Sequence, residues 1–450
     1  MNDSENKVFE NGGKKVKIIV SVIVALIIAV SSFFIGFFTH KLTRDEYVSS
    51  VEWVMSMIEK NYYFSEDFDK EDAKNLSLKA LVSKLDIYSE YYTAEEYRAV
   101  MSDNEGEKSG IGITYQFLKD KGVLLVSVMG NSPAWISGLR SGDILTGGIA
   151  DGEQYPFDTS AAFSDFISAQ SPGEKFTVTT EHAEYTLSRE VYTASYAYMA
   201  TADTSWEFVA SGDGKGLALV ENRSGAIPYL PDGAAYINLS QFFGTMADEF
   251  GVLMSKFNAE HYTTMYLDLR NNGGGYVSAM QDIAGYFTSS LSNKTHVAMT
   301  AKYRNGRNEV YDCVKHSGTS LVSKDTKIYV LANSGTASAS EALIGVLVSY
   351  GFVDYSDIFV SNYSDDYMKF IGVGQKNAQT YGKGIMQSTF YNYYTGEAVK
   401  LTTARIYWPN DKCIHDVALS ERDGVTLVDA DWIVTREDTE LQRVVQKTTS

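Results

Sequence analysis

Hydrophobic positions along the chain fall into three successive patterns. Residues 18–38 carry no charged side chain, and at about 1.5 Å per helical residue they span the roughly 30 Å hydrocarbon layer of a bilayer. From Tyr47 to Ala99 apolar residues recur at helical spacing, as at Leu78, Leu81 and Leu85. From Ser109 onward, short apolar runs alternate with turn residues. This predicts a small α+β module followed by a mixed α/β region.

These patterns predict a mixed α/β protein with several parts. In chain order they are a cytoplasmic tail (1–17), a transmembrane anchor (18–38), a helical segment (45–105), an α+β module (106–192), a linker or insertion (193–233), an α/β domain (234–433) and a C-terminal tail (434–450). Within the α/β domain we expect strands at 235–239, 264–269 and 327–332 and helices at 242–258 and 279–288. The helical segment is expected to cover a core or to mediate self-association, so a homodimer is left open.

The apolar run at 18–38 has two interpretations. Ala29-Val30-Ser31 is a small-x-small triplet of the kind that ends a cleaved signal peptide. The run continues past this triplet to Phe38, however, which favours an uncleaved anchor. Lys14, Lys15 and Lys17 directly precede the run, so the chain is expected to cross the cell membrane once, with its bulk outside the cytoplasm.

Charge and cysteine content exclude several classes of function. The formal net charge of -18 argues against a nucleic-acid partner, because phosphate binding requires a basic surface. The two cysteines, Cys313 and Cys413, give no basis for deciding whether they pair. No Cys/His cluster has the spacing of a metal site, so neither a metal nor another cofactor is expected.

A glycine-flanked loop opens the α+β module. Gly110, Ile111, Gly112 and Ile113 precede a strand, and Ser132-Pro133-Ala134 and the run 138–145 follow. Together these residues resemble a PDZ domain of the protease-associated kind. The resemblance implies that backbone N–H groups of the loop bind the carboxylate of a peptide, which then adds a strand to the sheet.

The most informative segment is the strand, small-residue turn and helix start at residues 328–341. A hydroxyl at such a turn lies at a helix N-terminus, where backbone N–H groups favour a developing negative charge. Taken alone, a serine there is more often a simple N-cap. Two further runs change this balance: 266–275, a buried strand that ends in three glycines, and 380–387, where a lysine stands between two glycines.

In this order, the three runs resemble the catalytic domain of the C-terminal processing peptidases, or tail-specific proteases, which are Ser/Lys serine peptidases of family S41 with a crotonase-like fold. The resemblance implies that Ser338 is the nucleophile, Lys383 the general base and Gln387 the residue that orients the lysine. It further implies an oxyanion hole formed by the N–H groups of Gly274 and Ala339. Gly273 remains an alternative to Gly274, and Ser334 and Ser340 are rival nucleophiles that lack the setting of Ser338 in the family pattern.

A lysine acts as a base only when it is neutral. An ordinary lysine, with a pKa near 10.4, is protonated at neutral pH, so burial has to lower its pKa. The glycines beside Lys383 permit close packing, and an uncharged Gln387 can hold the amine by a hydrogen bond without restoring its charge. A Ser/His/Asp triad is the internal competitor; the available histidines, none of them in a recognisable signature, are His261, His296, His316 and His415.

The resemblance extends from about residue 45 to 428, with departures. Ile87 stands where proline is usual, and the spacing from Ser338 to Lys383 exceeds the family norm, with the extra residues expected at 351–369. The leading hypothesis is a membrane-anchored endopeptidase that recognises the apolar C-termini of proteins and cleaves through an acyl-enzyme. The alternatives are a non-catalytic PDZ adaptor at the membrane and a crotonase-like enzyme acting on a thioester.

Overall fold

The computed structural model describes residues 46–212, 216–292, 294–365, 368, 376–431 and 437–449. The expected tail and anchor at 1–38 lie outside the described residues. Across those ranges, no helix combines the length and apolar character that a membrane crossing requires.

The chain divides into two compact units, one ending at Ser77 and the other beginning at Leu78. Helix α1 (Glu46–Asn61) lies in the first, and α2 (Lys70–Val82) starts there and continues into the second. A short strand, β1 (Glu90–Tyr92), and helix α3 (Ala94–Asn104) follow. The sequence predicted helices throughout this segment, so β1 is an addition.

Residues 107–193 form a module with a hydrophobic core of its own. Its strands are β2 (Glu107–Gly110), β3 (Ile113–Leu118), β4 (Gly122–Val128), β5 (Ile144–Leu145), β6 (Gly147–Ala150), β7 (Glu153–Pro156), β8 (Lys175–Thr179), β9 (Glu184–Ser188) and β10 (Glu190–Thr193), and its helices are α4 (Pro133–Ser137) and α5 (Ser160–Ala169). The strands form two sheets, in the orders β3-β4-β5 and β7-β6-β8-β9, while β2 pairs with β10 where the chain enters and leaves. Val123, Leu125, Phe163 and Phe166 are among the buried side chains between them.

The rest of the chain forms the largest domain. Its strands are β11 (Ala197–Ala200), β12 (Ser205–Ala210), β13 (Leu217–Asn222), β14 (Ala234–Leu239), β15 (Thr264–Asp268), β16 (Val297–Tyr303), β17 (Asn308–Asp312), β18 (Lys327–Ala332), β19 (Ile358–Tyr363), β20 (Ile385–Tyr391), β21 (Ala398–Tyr407) and β22 (Thr426–Ala430). Its helices are α6 (Met246–Ala259), α7 (Val277–Thr288), α8 (Ala339–Ser349) and α9 (Thr439–Thr449). The expected strands and helices of this region are therefore confirmed, with shifts of a few residues at their ends.

Eight strands form the central sheet, in the order β13-β12-β11-β14-β15-β18-β19-β22. Within this sheet, the neighbours β14, β15, β18, β19 and β22 pair in parallel. Strands β13, β12, β11 and β14 pair antiparallel with one another, in that order. A second sheet joins β1, β21, β16 and β17, with β20 paired to β21. Parallel strands present their carboxyl ends at one edge, so the turns after β15 and β18 meet there.

The structure corrects two expectations about connecting segments and adds a strand to a third. Residues 193–233 are not a linker, because β11, β12 and β13 hydrogen-bond into the central sheet. Within 351–369, where the extra residues between Ser338 and Lys383 are expected, the structure describes β19, which pairs with β18 and β22. The C-terminal tail at 434–450 contains α9, whose side chains Leu441, Val444 and Val445 are buried. In each segment, the apolar residues that form the strand or helix are few and stand among polar residues, so the sequence pattern does not reveal the element.

Candidate active site

The turn between β18 and α8 is held by side-chain hydrogen bonds. The Thr336 hydroxyl donates to the carbonyl of Leu269 at 2.7 Å, and the N–H of Asn333 donates to the Thr336 hydroxyl at 2.9 Å. Ser338 lies at the end of this turn with φ 57° and ψ -115°, a left-handed backbone that non-glycine residues rarely adopt. Backbone strain of this kind collects at functional sites, where the surrounding structure enforces it.

The two rival serines are in different settings. Ser340 is fully buried, and its hydroxyl donates to the carbonyl of Asn272 at 2.9 Å, so it serves the packing of the turn. Ser338 and Ser334 are each half-buried. Of these two, only Ser338 immediately precedes the first residue of α8, Ala339.

The triple glycine after β15 lies against this turn. A side chain at Gly274 would come within 2.9 Å of both Cβ of Ser338 and the amide nitrogen of Ala339, so glycine is required for the contact. The N–H of Gly274 donates to Oδ1 of Asn272 at 3.0 Å. Among the described residues, the N–H groups of Gly273 and Ala339 have no acceptor. The structure thus favours Gly273, the alternative that the sequence left open, as the glycine with a free donor.

One buried carboxylate joins the serine turn to the lysine loop. Glu341 accepts hydrogen bonds from four donors: the N–H of Ser338 at 3.1 Å, the N–H of Gly382 at 2.8 Å, the N–H of Lys383 at 2.9 Å and the hydroxyl of Thr380 at 2.6 Å. Burial raises the pKa of Glu341, while these hydrogen bonds act in the opposite direction. None of the sequence motifs marked Glu341 as a site residue, although a Glu three positions after Ser338 is the spacing of a capping box.

The amine of Lys383 lies in an environment that disfavours its charged form. Burial lowers the pKa of this half-buried side chain, and the positive charge of Lys400 acts in the same direction. The carboxylates of Glu341 and Asp86 oppose this shift in the pKa. Nζ of Lys383 lies 4.6 Å from the centre of the Tyr88 ring. Tyr88 lies in none of the three sequence motifs that predicted the site.

Lys383 does not yet engage its expected partners. Within the described ranges, no hydrogen bond joins its Nζ to the Ser338 hydroxyl or to Gln387. The amide of Gln387 instead donates to the hydroxyl of Thr402 at 3.1 Å. The structure therefore brings the backbones of the serine and lysine segments together, while no hydrogen bond between the described Ser338 and Lys383 side chains is present.

The histidines do not form a triad with Ser338. His415 pairs with Asp416 at 3.3 Å, and His316 pairs with Asp282 at 2.7 Å. No hydrogen bond between a histidine and Ser338 occurs in the described part of the chain. Over the same residues, no group of acidic, histidine or cysteine side chains has the arrangement of a metal site, and both Cys313 and Cys413 are free.

The glycine loop of the first module has open donors. Gly110 and Gly112 have φ values of 123° and 79°, and the carbonyls of Ile111 and Gly112 accept from Ala134 and Met129 at 3.0 and 2.9 Å. The described residues provide no acceptor for the N–H groups of Ile111 and Gly112. Ile113 starts β3 and pairs with β4. Positive φ values and unpaired N–H groups are the features of an anion-binding nest.

Comparison with known proteins identifies the large domain. Residues 233–421 match the model of Peptidase family S41. The "Probable CtpA-like serine protease" of Staphylococcus saprophyticus subsp. saprophyticus is 25% identical over 88% of this chain and 70% of that protein. The chain therefore carries a serine peptidase domain of family S41. The protein of the same name from Staphylococcus aureus (strain N315) is also 25% identical to this peptidase. The match covers 88% of this chain and 68% of the Staphylococcus aureus protein.

A solved structure described as an S41 protease, from Bacteroides fragilis, shares the fold of the peptidase. Its TM-score is 0.54 at 15% identity, across 88% of this chain and 97% of that chain. The resemblance to C-terminal processing peptidases that the sequence indicated is thus confirmed at the level of the family.

Proposed function

We propose that the peptidase cleaves proteins with a Ser338/Lys383 dyad, through an acyl-enzyme. The observation that carries this proposal is the shared carboxylate of Glu341, which hydrogen-bonds the backbone N–H groups of both residues. A serine hydroxyl needs a base to become a nucleophile, and the lowered pKa of Lys383 suits that role. Among the described residues that donate to this carboxylate, Lys383 is the only cationic residue, and it donates through its backbone N–H.

The reaction would proceed in two steps. In the first, Ser338 Oγ attacks the carbonyl carbon of the substrate while Lys383 Nζ takes the hydroxyl proton. The C–N bond then breaks, and Lys383 returns that proton to the leaving amine. In the second, Lys383 activates a water molecule that attacks the ester and releases Ser338. The developing oxyanion would be bound by the N–H of Ala339 with that of Gly273, or with that of Gly274 after release from Asn272.

The dyad has to close before this chemistry starts. The Lys383 amine must leave the face of Tyr88 and reach the Ser338 hydroxyl, and Gln387 is proposed to hold it there after leaving Thr402. These are rotations of side chains on fixed backbones, because Glu341 already holds the two loops. Catalytic hydrogen bonds that tighten only with bound substrate are common in peptidases and other enzymes.

The proposed substrates are proteins with apolar C-termini, captured by the module at 107–193 as a PDZ domain. The open N–H groups of Ile111 and Gly112 support carboxylate binding, and Ile113 starts the strand beside which a peptide would add. The apolar run at 18–38 supports a single membrane anchor with the catalytic domain outside the cytoplasm. A homodimer is consistent with the exposed apolar residues of α1, among them Trp53.

Cleavage of unstructured β-casein by the full chain in detergent tests the dyad. Ser338→Ala and Lys383→Ala are expected to lose at least about 10³-fold in rate, because nucleophile and base act as a unit. Ser334→Ala and the exposed Lys119→Ala are the matched controls and are expected to keep the parental rate. Undiminished cleavage by either dyad variant would overturn the proposal in favour of an adaptor. Specific binding of an acyl-CoA would favour the thioester enzyme.

A peptide-binding experiment tests the PDZ module separately. A labelled peptide with an apolar C-terminal residue should bind as the free acid and lose affinity as the C-terminal amide, measured by fluorescence anisotropy. Gly112→Ala should abolish binding, since its Cβ would lie 2.1 Å from Cβ of Ser132. Gly152 is a matched control, with φ 81° and nothing within 4 Å of such a Cβ. Equal binding by the Gly112 and Gly152 variants would refute the assignment.

A further inference from the structure

The turn that precedes β1 is rigid. Oδ1 of Asp86 accepts from the N–H groups of Tyr88 at 2.8 Å and Ser89 at 2.7 Å, and Oδ2 accepts from the Ser89 hydroxyl at 3.0 Å. Ser89 is also bonded to the peptidase domain, since its hydroxyl accepts from the N–H of Thr402 at 3.2 Å. Because β1 pairs with β21 directly afterwards, the turn is fixed on both sides. The backbone at Tyr88 is therefore held in place, and with it the direction in which the Tyr88 side chain leaves the turn.

Tyr88 touches the lysine loop at two points. Its ring lies under the Lys383 amine, and its hydroxyl donates to the hydroxyl of Tyr381 at 3.0 Å. Tyr381 in turn donates its N–H to the carbonyl of Thr336, in the serine turn, at 3.0 Å. A single side chain from outside the family-matched residues 233–421 thus reaches the proposed base and is linked to the proposed nucleophile's turn.

We propose that Tyr88 is a positioning residue for Lys383: its ring covers the amine on one side and keeps water from it. This inference rests on the proposed Ser/Lys dyad and adds to it a residue that no catalytic motif contains. Water excluded from one face of the amine weakens solvation of the ammonium form, which favours the neutral base.

The ring has two opposing effects on the amine. Attraction between an ammonium group and an aromatic face favours the charged form. Desolvation of a lysine favours the neutral form, and burial is the largest cause of the lowered pKa of Lys383. The charged or titratable groups that face this region are Lys400, Glu341, Asp86, Tyr381 and, beside Tyr88, Asp416. Loss of the ring leaves these charges in place and removes the cover, so we infer that desolvation dominates.

The test compares Tyr88→Ala with Tyr88→Phe in the full chain, using kcat/KM for β-casein from pH 6 to pH 10. Tyr88→Phe keeps the ring and loses only the bond to Tyr381, and it is expected to stay within about threefold of the parent. Tyr88→Ala admits water, so the acidic limb of its pH profile should move to higher pH and its rate at pH 7 should fall about 10- to 100-fold. Tyr394→Ala, at a residue 99% exposed, is the control.

The outcomes separate the two proposals. If Lys383→Ala stays active, the dyad itself is wrong. If the parent depends on Lys383 but Tyr88→Ala leaves the acidic limb unmoved, only the role of Tyr88 is wrong. An equal defect in Tyr88→Phe and Tyr88→Ala would also overturn it, because the ring would then be irrelevant. Should Tyr88→Ala fail to fold, Tyr88→Gln makes the same comparison with a polar side chain of similar reach.

Discussion

At the scale of single residues, Lys383 has a half-buried amine at a position where an apolar side chain would stabilise the fold better. Its pKa is lowered by burial in the folded protein, whereas in the unfolded chain it has its ordinary value. Below the folded pKa, the ammonium is charged in both states and less well solvated in the folded one. The lysine therefore lowers the free energy of unfolding over that range, and the loss disappears as pH rises toward the unfolded pKa of about 10.4.

Lys383→Met is accordingly expected to be more stable than the parent at pH 7. The difference should shrink as pH approaches about 10.4, since the unfolded lysine then loses its proton as well. Thermal unfolding of both proteins at a series of pH values measures this. Lys119→Met, at an exposed position, should show no such trend. A difference that grows with pH would have the wrong sign for a lowered pKa.

Gly273 and Gly274 are neighbours with opposite tolerance for a side chain. Gly274 has φ 96° and tight contacts with residues 337–339, whereas nothing lies within 4 Å of a Cβ built at Gly273. Gly274→Ala should therefore abolish cleavage by displacing the serine turn, while Gly273→Ala keeps its N–H and should stay within about tenfold of the parent. Cleavage rates of the two variants make the comparison. Equal activity would mean that the contact with Ser338 is not needed.

At the scale of elements, the first turn of α8 is joined to the loop before β20 by Glu341. Glu341→Gln keeps the size of the side chain and replaces one acceptor oxygen with a donor, which would face an N–H or hydroxyl in a fully buried site. Because a buried unsatisfied donor costs about 1–3 kcal/mol, the variant should unfold at lower temperature and lose most activity. Calorimetry and the casein assay together test this. Glu95→Gln, on the exposed side of α3, should match the parent.

Helix α9 completes a buried charge cluster behind the triple glycine. Arg270 is bonded to Asp268 within its own strand end and to Asp438 and Glu440 at the start of α9. The Glu440 carboxylate also accepts from the Ser361 hydroxyl of β19 at 2.6 Å. The strand end that carries the glycine turn is thus fixed by residues close to the C-terminus.

Leu441→Ala tests how much the packing of α9 contributes to the stability of the fold. Its side chain is fully buried, so the substitution should lower the free energy of unfolding by about 2–5 kcal/mol, as a cavity replaces the lost contacts. Gln442→Ala, at the next and exposed position, should change it by less than about 0.5 kcal/mol. Denaturant titration gives both values. Similar values for the two variants would mean that α9 does not pack as described.

At the scale of the whole molecule, the first module is joined to the central sheet through Glu207 on β12. This buried carboxylate accepts from Nε1 of Trp135, at 2.8 Å, and from Nδ2 of Asn222, at 2.9 Å. The guanidinium of Arg140 stacks on the Trp135 ring, 3.9 Å from its centre. The side chains of one short helix and the loop after it thus meet the sheet of the peptidase domain.

Glu207→Leu removes the acceptor of the two half-buried donors, Trp135 and Asn222, and should separate the unfolding of the two parts. Each donor left unsatisfied costs about 1–3 kcal/mol. Calorimetry is expected to show an earlier transition for the module than in the parent. Glu184→Leu, on the exposed face of β9, is the control and should unfold as the parent does. Coincident transitions in the Glu207 variant would show that this junction does not couple the two parts.

Local patterns in the sequence determined the apolar strands β14, β15 and β18, the helices beside them and the three motifs of the peptidase, because each depends on residues close together in the chain. The roles of Glu341 and Tyr88 were decided only by the tertiary structure. Glu341 collects donors from residues 338 and 380–383, and Tyr88 meets Lys383 across almost 300 positions. Strands β11 to β13 and helix α9 were missed for the same reason: their polar neighbours hide a short apolar stripe until the sheet that buries it is formed. A sequence displays the groups that can react; only folding brings a distant carboxylate or ring to them.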